Sequence, residues 1–265
     1  MVVKSYSTSA LSHDMPTELQ RLRLLEDYLE PVTGPVLKRT GIQPDWHCLD
    51  LGAGAGAVSH QLARLCPVGR VVAADIDTRF LERGANLEVR EFDARTGEFE
   101  AGAFDLIHTR AMLMHLPERV EVVSRCLSWL RPGRWLVATD PSGFTASSST
   151  SPGWRRLMDA FWALMAAHGG DPLWGRQRLA RTVVEAGFVD VGMSIQTNVV
   201  GCEGPADRFW RVFFAQVGPR MVELGLVSQD ELAAGVALLD EPGFFDSPDA
   251  FVTVWGRRPG NAEGA

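Results

Sequence analysis

Lysine is nearly missing from this chain: Lys4 and Lys38 are its two, both ahead of the first glycine-rich stretch, and the rest of its basic charge is arginine. No run of five basic residues occurs, and the balance is acidic, with a formal net charge of -7. Nucleic acid and anionic membrane both demand a basic footprint, so neither is expected as the main partner. Cysteine is scarce as well. Cys48, Cys66, Cys126 and Cys202 stand far apart, without a C-x-x-C or a Cys/His pair at ligand spacing, so they read as reduced thiols and no metal is expected. No window reaches the roughly eighteen consecutive apolar residues of a membrane span, and the first residues lack the apolar segment of a secretory leader. The expectation is a cytoplasmic protein.

Against these absences, 265 residues at 46% hydrophobic composition can bury a full core, as one domain with insertions or a small cap. The stretch Leu49–Gly56, LDLGAGAG, organises the rest. Its apolar start reads as a buried strand, and Gly52, Gly54 and Gly56 permit a tight turn and close approach of a ligand to the backbone. Ala57–Leu65 has helical spacing, so the turn sits at a helix N-terminus, where unpaired N–H groups suit an anionic group.

In chain order, a helix is predicted from Thr17 to Pro31 and a second from Gly34 to Thr40. After the glycine turn come a strand at Arg70–Asp75, a short helix at Thr78–Gly84, strands at Leu87–Phe92 and Phe104–His108, a helix at Glu118–Leu130 and a strand at Trp135–Thr139. Strands alternating with helices in this way predict a parallel sheet with right-handed crossovers. Beyond Asp140, a Ser/Thr-rich linker leads to a helix with Trp154, Leu157, Met158, Phe161, Trp162 and Met165 on one face, then a helix at Arg176–Ala186 and a strand at Val189–Thr197. Helices at Ala206–Leu224 and Ser228–Asp240 and a strand at Ala250–Trp255 complete the chain. The expected division is an N-terminal helical lid (1–43), a cofactor-binding α/β half (44–140), the rest of the sheet with helical cap insertions (141–257), and a flexible tail (258–265).

Ligands of an open parallel sheet bind beyond the carboxyl ends of its strands. Four such ends carry chemistry here: Asp50 with the glycine turn, Asp75, Asp93, and His108–Thr109–Arg110. A ligand touching all four would bring a cationic or neutral group to Asp50, a vicinal diol to Asp75 and an exocyclic amine to Asp93. S-adenosylmethionine offers an ammonium, a ribose and an adenine amine in that order. A nicotinamide dinucleotide would satisfy Asp75 but would bring its pyrophosphate toward Asp50.

Together, LDLGAGAG, VVAADID, EFDA, FDLIHTRAMLMHLP and the following LRPG make residues 15–140 resemble the class I S-adenosylmethionine-dependent methyltransferases of the small-molecule, ubiquinone/menaquinone-type group. The resemblance implies a doubly wound, mainly parallel seven-stranded α/β sheet of order 3-2-1-4-5-7-6, with strand seven antiparallel. It further implies that Gly52, Gly54 and Gly56 line the methionine portion, that Asp75 holds the ribose hydroxyls, that Ile76 packs on adenine, and that Asp93 with the Ala94 amide reads the adenine edge. The N/D-P-P-Y signature of amino methylation on nucleic acid bases is absent, with His108–Ala111 in its place.

Other candidates keep two readings. His115 could be a general base for an acceptor hydroxyl or could pack under its turn. Arg21 could pair with the methionine carboxylate or lie on a solvated face. Asp50 could touch the ligand or only pin the turn. Asp105 begins its strand, at the opposite edge, and reads as structural. The aromatic residues after position 150 could be helical core or could roof a hydrophobic small-molecule acceptor, with O-methylation favoured over methylation at carbon or nitrogen. Two other functions remain open: a protein of this fold that binds the donor for cyclisation or another reaction, and an NAD(P)-dependent oxidoreductase, for which no Tyr-x-x-x-Lys pair is present. A homodimer also stays open.

Overall fold

A computed structural model describes residue 11 and residues 14–260. Most of the N-terminal stretch expected to be mobile, and the end of the expected tail, lie outside the described residues. Seven strands form one sheet of order β3-β2-β1-β4-β5-β7-β6: β1 His47–Leu51, β2 Arg70–Asp75, β3 Leu87–Glu91, β4 Phe104–Arg110, β5 Leu130–Ser142, β6 Val189–Thr197 and β7 Ala250–Arg257. The sheet is mainly parallel with β7 antiparallel, as the sequence implied. The central strands are short apolar runs because both of their faces are covered. In register, Leu51 of β1 lies between Ala74 of β2 and Thr109 of β4, which brings the carboxyl ends of these strands level.

By spatial compactness the chain divides into two units. One comprises residues 31–140, 174–195 and 252 onward, and holds most of the sheet. Its core packs α2 (Ala57–Leu65) on β1 and β2 through Val58, Leu62, Cys48, Val71 and Ala73. The cysteines distant in sequence meet here, with Cys48 Sγ and Cys66 Sγ 3.6 Å apart and both buried. Asp105, at the amino end of β4, accepts from the His47 amide and pairs with Arg131 and Arg134, the structural role its position suggested.

The other unit takes residues up to 30 together with 141–173 and 196–251. It is built on α4 (Pro152–Ala167), α6 (Pro205–Glu223) and α7 (Gln229–Ala237). Trp154, Phe161, Trp210, Phe213 and Phe214 pack edge-to-face and stacked on one another, so these rings form this unit's own core. Leu157 fills the space over Gly235, and Leu232 that over Gly218.

Four local expectations are corrected. The two predicted N-terminal helices are one, α1 (Glu18–Arg39), with Pro31 and Pro35 inside it. The stripe Leu29, Val32, Val36, Leu37 continues through both prolines, and burying it outweighs the backbone bonds the prolines remove. No helix forms at 78–84: the Asp77 side chain accepts the Arg79 amide, Leu81 closes a single turn onto Thr78, and Gly84 then bridges to Leu87. One turn held by an Asx contact is too short to propagate. β5 starts at Leu130, passing Pro132 and Gly133 in an irregular stretch opposite Phe104–Leu106. Finally, the helix expected at 176–186 begins as a wide turn, Trp174–Leu179, before α5 (Ala180–Glu185).

Candidate functional site

The glycine turn leaves β1 at Leu51. Gly52, Gly54 and Gly56 all have positive φ, at 78°, 59° and 93°, a conformation that side chains oppose. Gly52 is doubly constrained, since a Cβ there would lie 2.6 Å from Met112 Cγ. The Gly52 and Ala53 amides bond to Ala74 O, tying the turn to β2. α2 then begins at Ala57, directly after the turn, with Gly56 as its N-cap and no side-chain cap.

Asp75 ends β2 beside this turn. Its Oδ2 accepts the Gly54 amide at 2.9 Å and its Oδ1 faces the Asp77 amide at 3.2 Å. Ile76 follows with 41% of its surface exposed, an apolar side chain presented to solvent at the strand edges. Asp93 lies one strand further out. Arg95 forks onto its carboxylate at 2.9 and 2.7 Å, and that guanidinium holds the Asp93 carboxyl below the usual carboxylate range. Next to it, the Ala94 carbonyl accepts from Arg125. The glycine turn after β1, the acid and its exposed apolar neighbour at the end of β2, and a second acid after β3 thus follow one another along the sheet. This donor set fits a ribose, an aromatic ring and an exocyclic amine.

Asp50 lies inside. Ser59 Oγ donates to its Oδ2 at 2.6 Å, and His108 Nδ1 lies 2.9 Å from its Oδ1. Both oxygens are engaged by the protein, so Asp50 ties β1 to α2 and β4. Thr109 is buried, and its Oγ1 has no hydrogen-bond partner in the structure. Arg110 reaches Thr33 Oγ1 at 3.0 Å. His115 closes a 3-10 turn, Leu113–His115, and is half-buried.

Arg21 is not on the solvated face that one of its two readings gave it. It is 4% exposed, and its guanidinium forks onto the buried Glu18 at 2.9 and 2.6 Å, while Gln216 donates to the same carboxylate. The helix places the pair three residues apart on one face, and enclosing them makes the partnership obligatory.

One residue of this region escaped the sequence reading. Asp140 lies near the carboxyl end of β5, fully buried, with Trp174 Nε1 donating to its Oδ2 at 2.9 Å. Burial pushes its carboxyl up to about 7, against the opposing pull of the Met114 and Met112 amides, the Trp174 indole and Arg119. A signal was present: WLVATD at 135–140 repeats the pattern of RVVAAD at 70–75, an apolar strand closing on an acid.

Comparison with known proteins agrees with this geometry. Residues 49–138 match the family model described as a methyltransferase domain. Methyltransferase str2 of Strobilurus tenacellus is 33% identical over 167 residues, covering 60% of this chain and 59% of that protein. Trans-aconitate 2-methyltransferase of Deinococcus radiodurans is 26% identical over 156 residues, covering 56% and 60% respectively. The chain thus spans about three-fifths of the length of these curated relatives. Among solved structures, a phosphoethanolamine N-methyltransferase 2 of Haemonchus contortus in complex with S-adenosyl-L-methionine superposes with a TM-score of 0.64 at 18% identity, over 98% of this chain and 60% of that one, a likeness of fold. Residues 49–138 thus match a methyltransferase domain, and the strand order of the sheet agrees with the class I S-adenosylmethionine-dependent methyltransferase fold that the sequence resembles.

Proposed function

We propose that this protein transfers the methyl group of S-adenosylmethionine to a small, largely apolar acceptor, with oxygen as the favoured methylated atom. The observation that carries the reading is the succession of Gly52–Gly56, Asp75, Ile76 and Asp93 along the carboxyl ends of three adjacent strands. The donor, when bound, supplies an activated sulfonium methyl group, so positioning can provide much of the rate. In this reading the first amides of α2 and the glycine turn receive the methionine portion, Asp75 the ribose hydroxyls and Ile76 one face of adenine. Asp93 and Ala94 take its amine edge, while Thr109 and Arg110 stand at the end of β4, on the opposite side of β1 and its glycine turn. His115 is the candidate base for an acceptor hydroxyl, since an imidazole exchanges its proton near neutral pH.

The acidic charge balance supports a small acceptor over a nucleic acid. Ubiquinone biosynthesis O-methyltransferase of Nitrosococcus oceani, 32% identical over 92 residues, lends support to oxygen as the acceptor atom. Among the described residues no helix is long and apolar enough to cross a membrane.

Calorimetric titration with S-adenosylhomocysteine, with NAD and NADP as controls, tests the donor. Micromolar binding of the first alone is expected, and binding of a nicotinamide instead would overturn the reading. Incubation with isotopically labelled donor and a panel of phenols, enols, carboxylic acids and amines then tests the acceptor. Transfer confined to amines would refute the preference for oxygen.

A further inference from the structure

We infer that His108 is a positioning residue for donor binding: through the carboxylate of Asp50 it fixes one side of the glycine turn, as β2 fixes the other. The inference rests on the donor reading above and concerns a buried side chain that acts through another residue. A turn built on Gly52, Gly54 and Gly56 has little of its own to hold it, because glycine opposes few backbone conformations. Its shape must come from ties to its neighbours. On the β2 side, the Gly52 and Ala53 amides bond to Ala74 O and the Gly54 amide to Asp75 Oδ2. On the other side the tie is Asp50, two residues ahead of Gly52. Ser59, the third residue of α2, donates to its Oδ2 at 2.6 Å. That one bond spans the turn and joins its entry to its exit.

His108 holds the other oxygen. It lies directly opposite Asp50 in the register of β1 with β4, is fully buried, and brings Nδ1 to 2.9 Å from Asp50 Oδ1. An ionised carboxylate only accepts, so Nδ1 carries the proton. Nε2 makes no hydrogen bond among the described residues, and the bond to Asp50 is the only one the ring forms. An apolar side chain would fill this core position without stranding a nitrogen, so what the imidazole adds is the fixing of Asp50. Ser59 is enclosed as well, and neither bond competes with bulk water. With both oxygens held, Asp50 cannot turn away from Ser59, and the two ends of the turn keep their separation. A turn already set in its binding geometry loses less freedom when the donor arrives, which raises affinity. Without His108 the donor has to order the turn itself.

Calorimetric titration of the whole chain with S-adenosylhomocysteine tests this. His108→Leu removes the hydrogen bond to Asp50 and should bind about tenfold more weakly, the worth of a hydrogen bond to a charged group. His108→Asn keeps an N–H one bond beyond Cγ, where Nδ1 was, and should recover binding to within about threefold of wild type. Ser59→Ala should weaken binding to a similar extent as His108→Leu. Combining the two should cost much less than the product of their separate effects, because both act through one carboxylate. Asp105→Asn is the control for stability alone. That carboxyl sits at the far end of β4, paired with Arg131 and Arg134, which follow α3 (Arg119–Trp129), so its loss should lower the melting temperature and leave affinity unchanged. Binding by His108→Leu within about twofold of wild type, no recovery in His108→Asn, or fully multiplicative effects overturns the proposal. Should His108→Leu fail to fold, Ser59→Ala decides, and undiminished affinity there overturns it equally. In the wild type, nitrogen-15 resonances of His108 should show a protonated Nδ1 and a bare Nε2, and the opposite tautomer overturns the proposal. If the wild type does not bind S-adenosylhomocysteine, the donor reading fails and this inference falls with it. If the wild type and both His108 and Ser59 variants bind alike, this inference alone falls.

Discussion

Asp75 Oδ2 accepts the backbone amide of Gly54 at 2.9 Å, so the acid that ends β2 also shapes the glycine turn that leaves β1. Shaping the turn is the observed function of this carboxylate, and holding the ribose is the one proposed for it. They can be separated by substitution. Asp75→Asn keeps an oxygen for Gly54 but surrenders the charge, and should retain its melting temperature while binding S-adenosylhomocysteine about tenfold more weakly. Asp75→Ala should lose binding and stability together. Undiminished affinity in both variants, measured by calorimetry, would refute the ribose assignment.

Gly52→Ala should destabilise the protein by about 1–3 kcal/mol, because the new methyl meets Met112 Cγ at 2.6 Å and the residue is held at φ of 78°. Urea unfolding measures the loss. Combining the substitution with Met112→Ala should recover part of it, since steric overlap and backbone strain are separate terms.

The second unit contains a pH-dependent element of stability. Tyr28 donates its hydroxyl to Asp249 Oδ1 at 2.5 Å, and burial pushes the Asp249 carboxyl from its ordinary 3.8 up to about 7. The folded state therefore keeps a proton that the unfolded chain releases. Its contribution is complete below about pH 4 and is lost as the pH rises through 7, a change on the order of a few kcal/mol. Asp140 acts with the same sign. Asp249→Asn should flatten the fall in unfolding free energy between pH 4 and 8, and an unaltered slope would count against the assignment.

Replacing His115 by alanine separates base from bystander. As the base, its loss should lower kcat at saturating donor by about a hundredfold, with donor affinity preserved. An unchanged kcat would return His115 to the packing of its 3-10 turn.

How far the sequence could be read depended on whether local chemistry or distant packing governed each segment. α2 and β2 lie where the glycine turn and flanking strand patterns put them, and β6 runs Val189–Thr197 as expected. At Pro31 the sequence rule pointed to a helix end, yet burial of Leu29, Val32 and Val36 carries α1 onward. At 78–84 the opposite occurs, where helical spacing yields to the Asp77 side chain. The strand-edge positions of Asp75, Ile76 and Asp93 were legible because they follow from counting. Arg21 was not, because its partner Glu18 is chosen by enclosure and the two readings weighed for it were both open to solvent or ligand.

By itself, then, the chain determined the order and type of its strands, the glycine turn and the acids at the strand ends. Those depend on hydrophobic period and on backbone freedom, which are properties of neighbours in sequence. Tertiary structure alone decided that Asp50 turns inward to Ser59 and His108, that the aromatic rings of α4 and α6 pack on one another, and that Asp140 meets Trp174. Charge and hydrogen-bond capacity belong to the residue, but the groups that satisfy them come from segments distant in sequence, and only folding sets those at bonding distance.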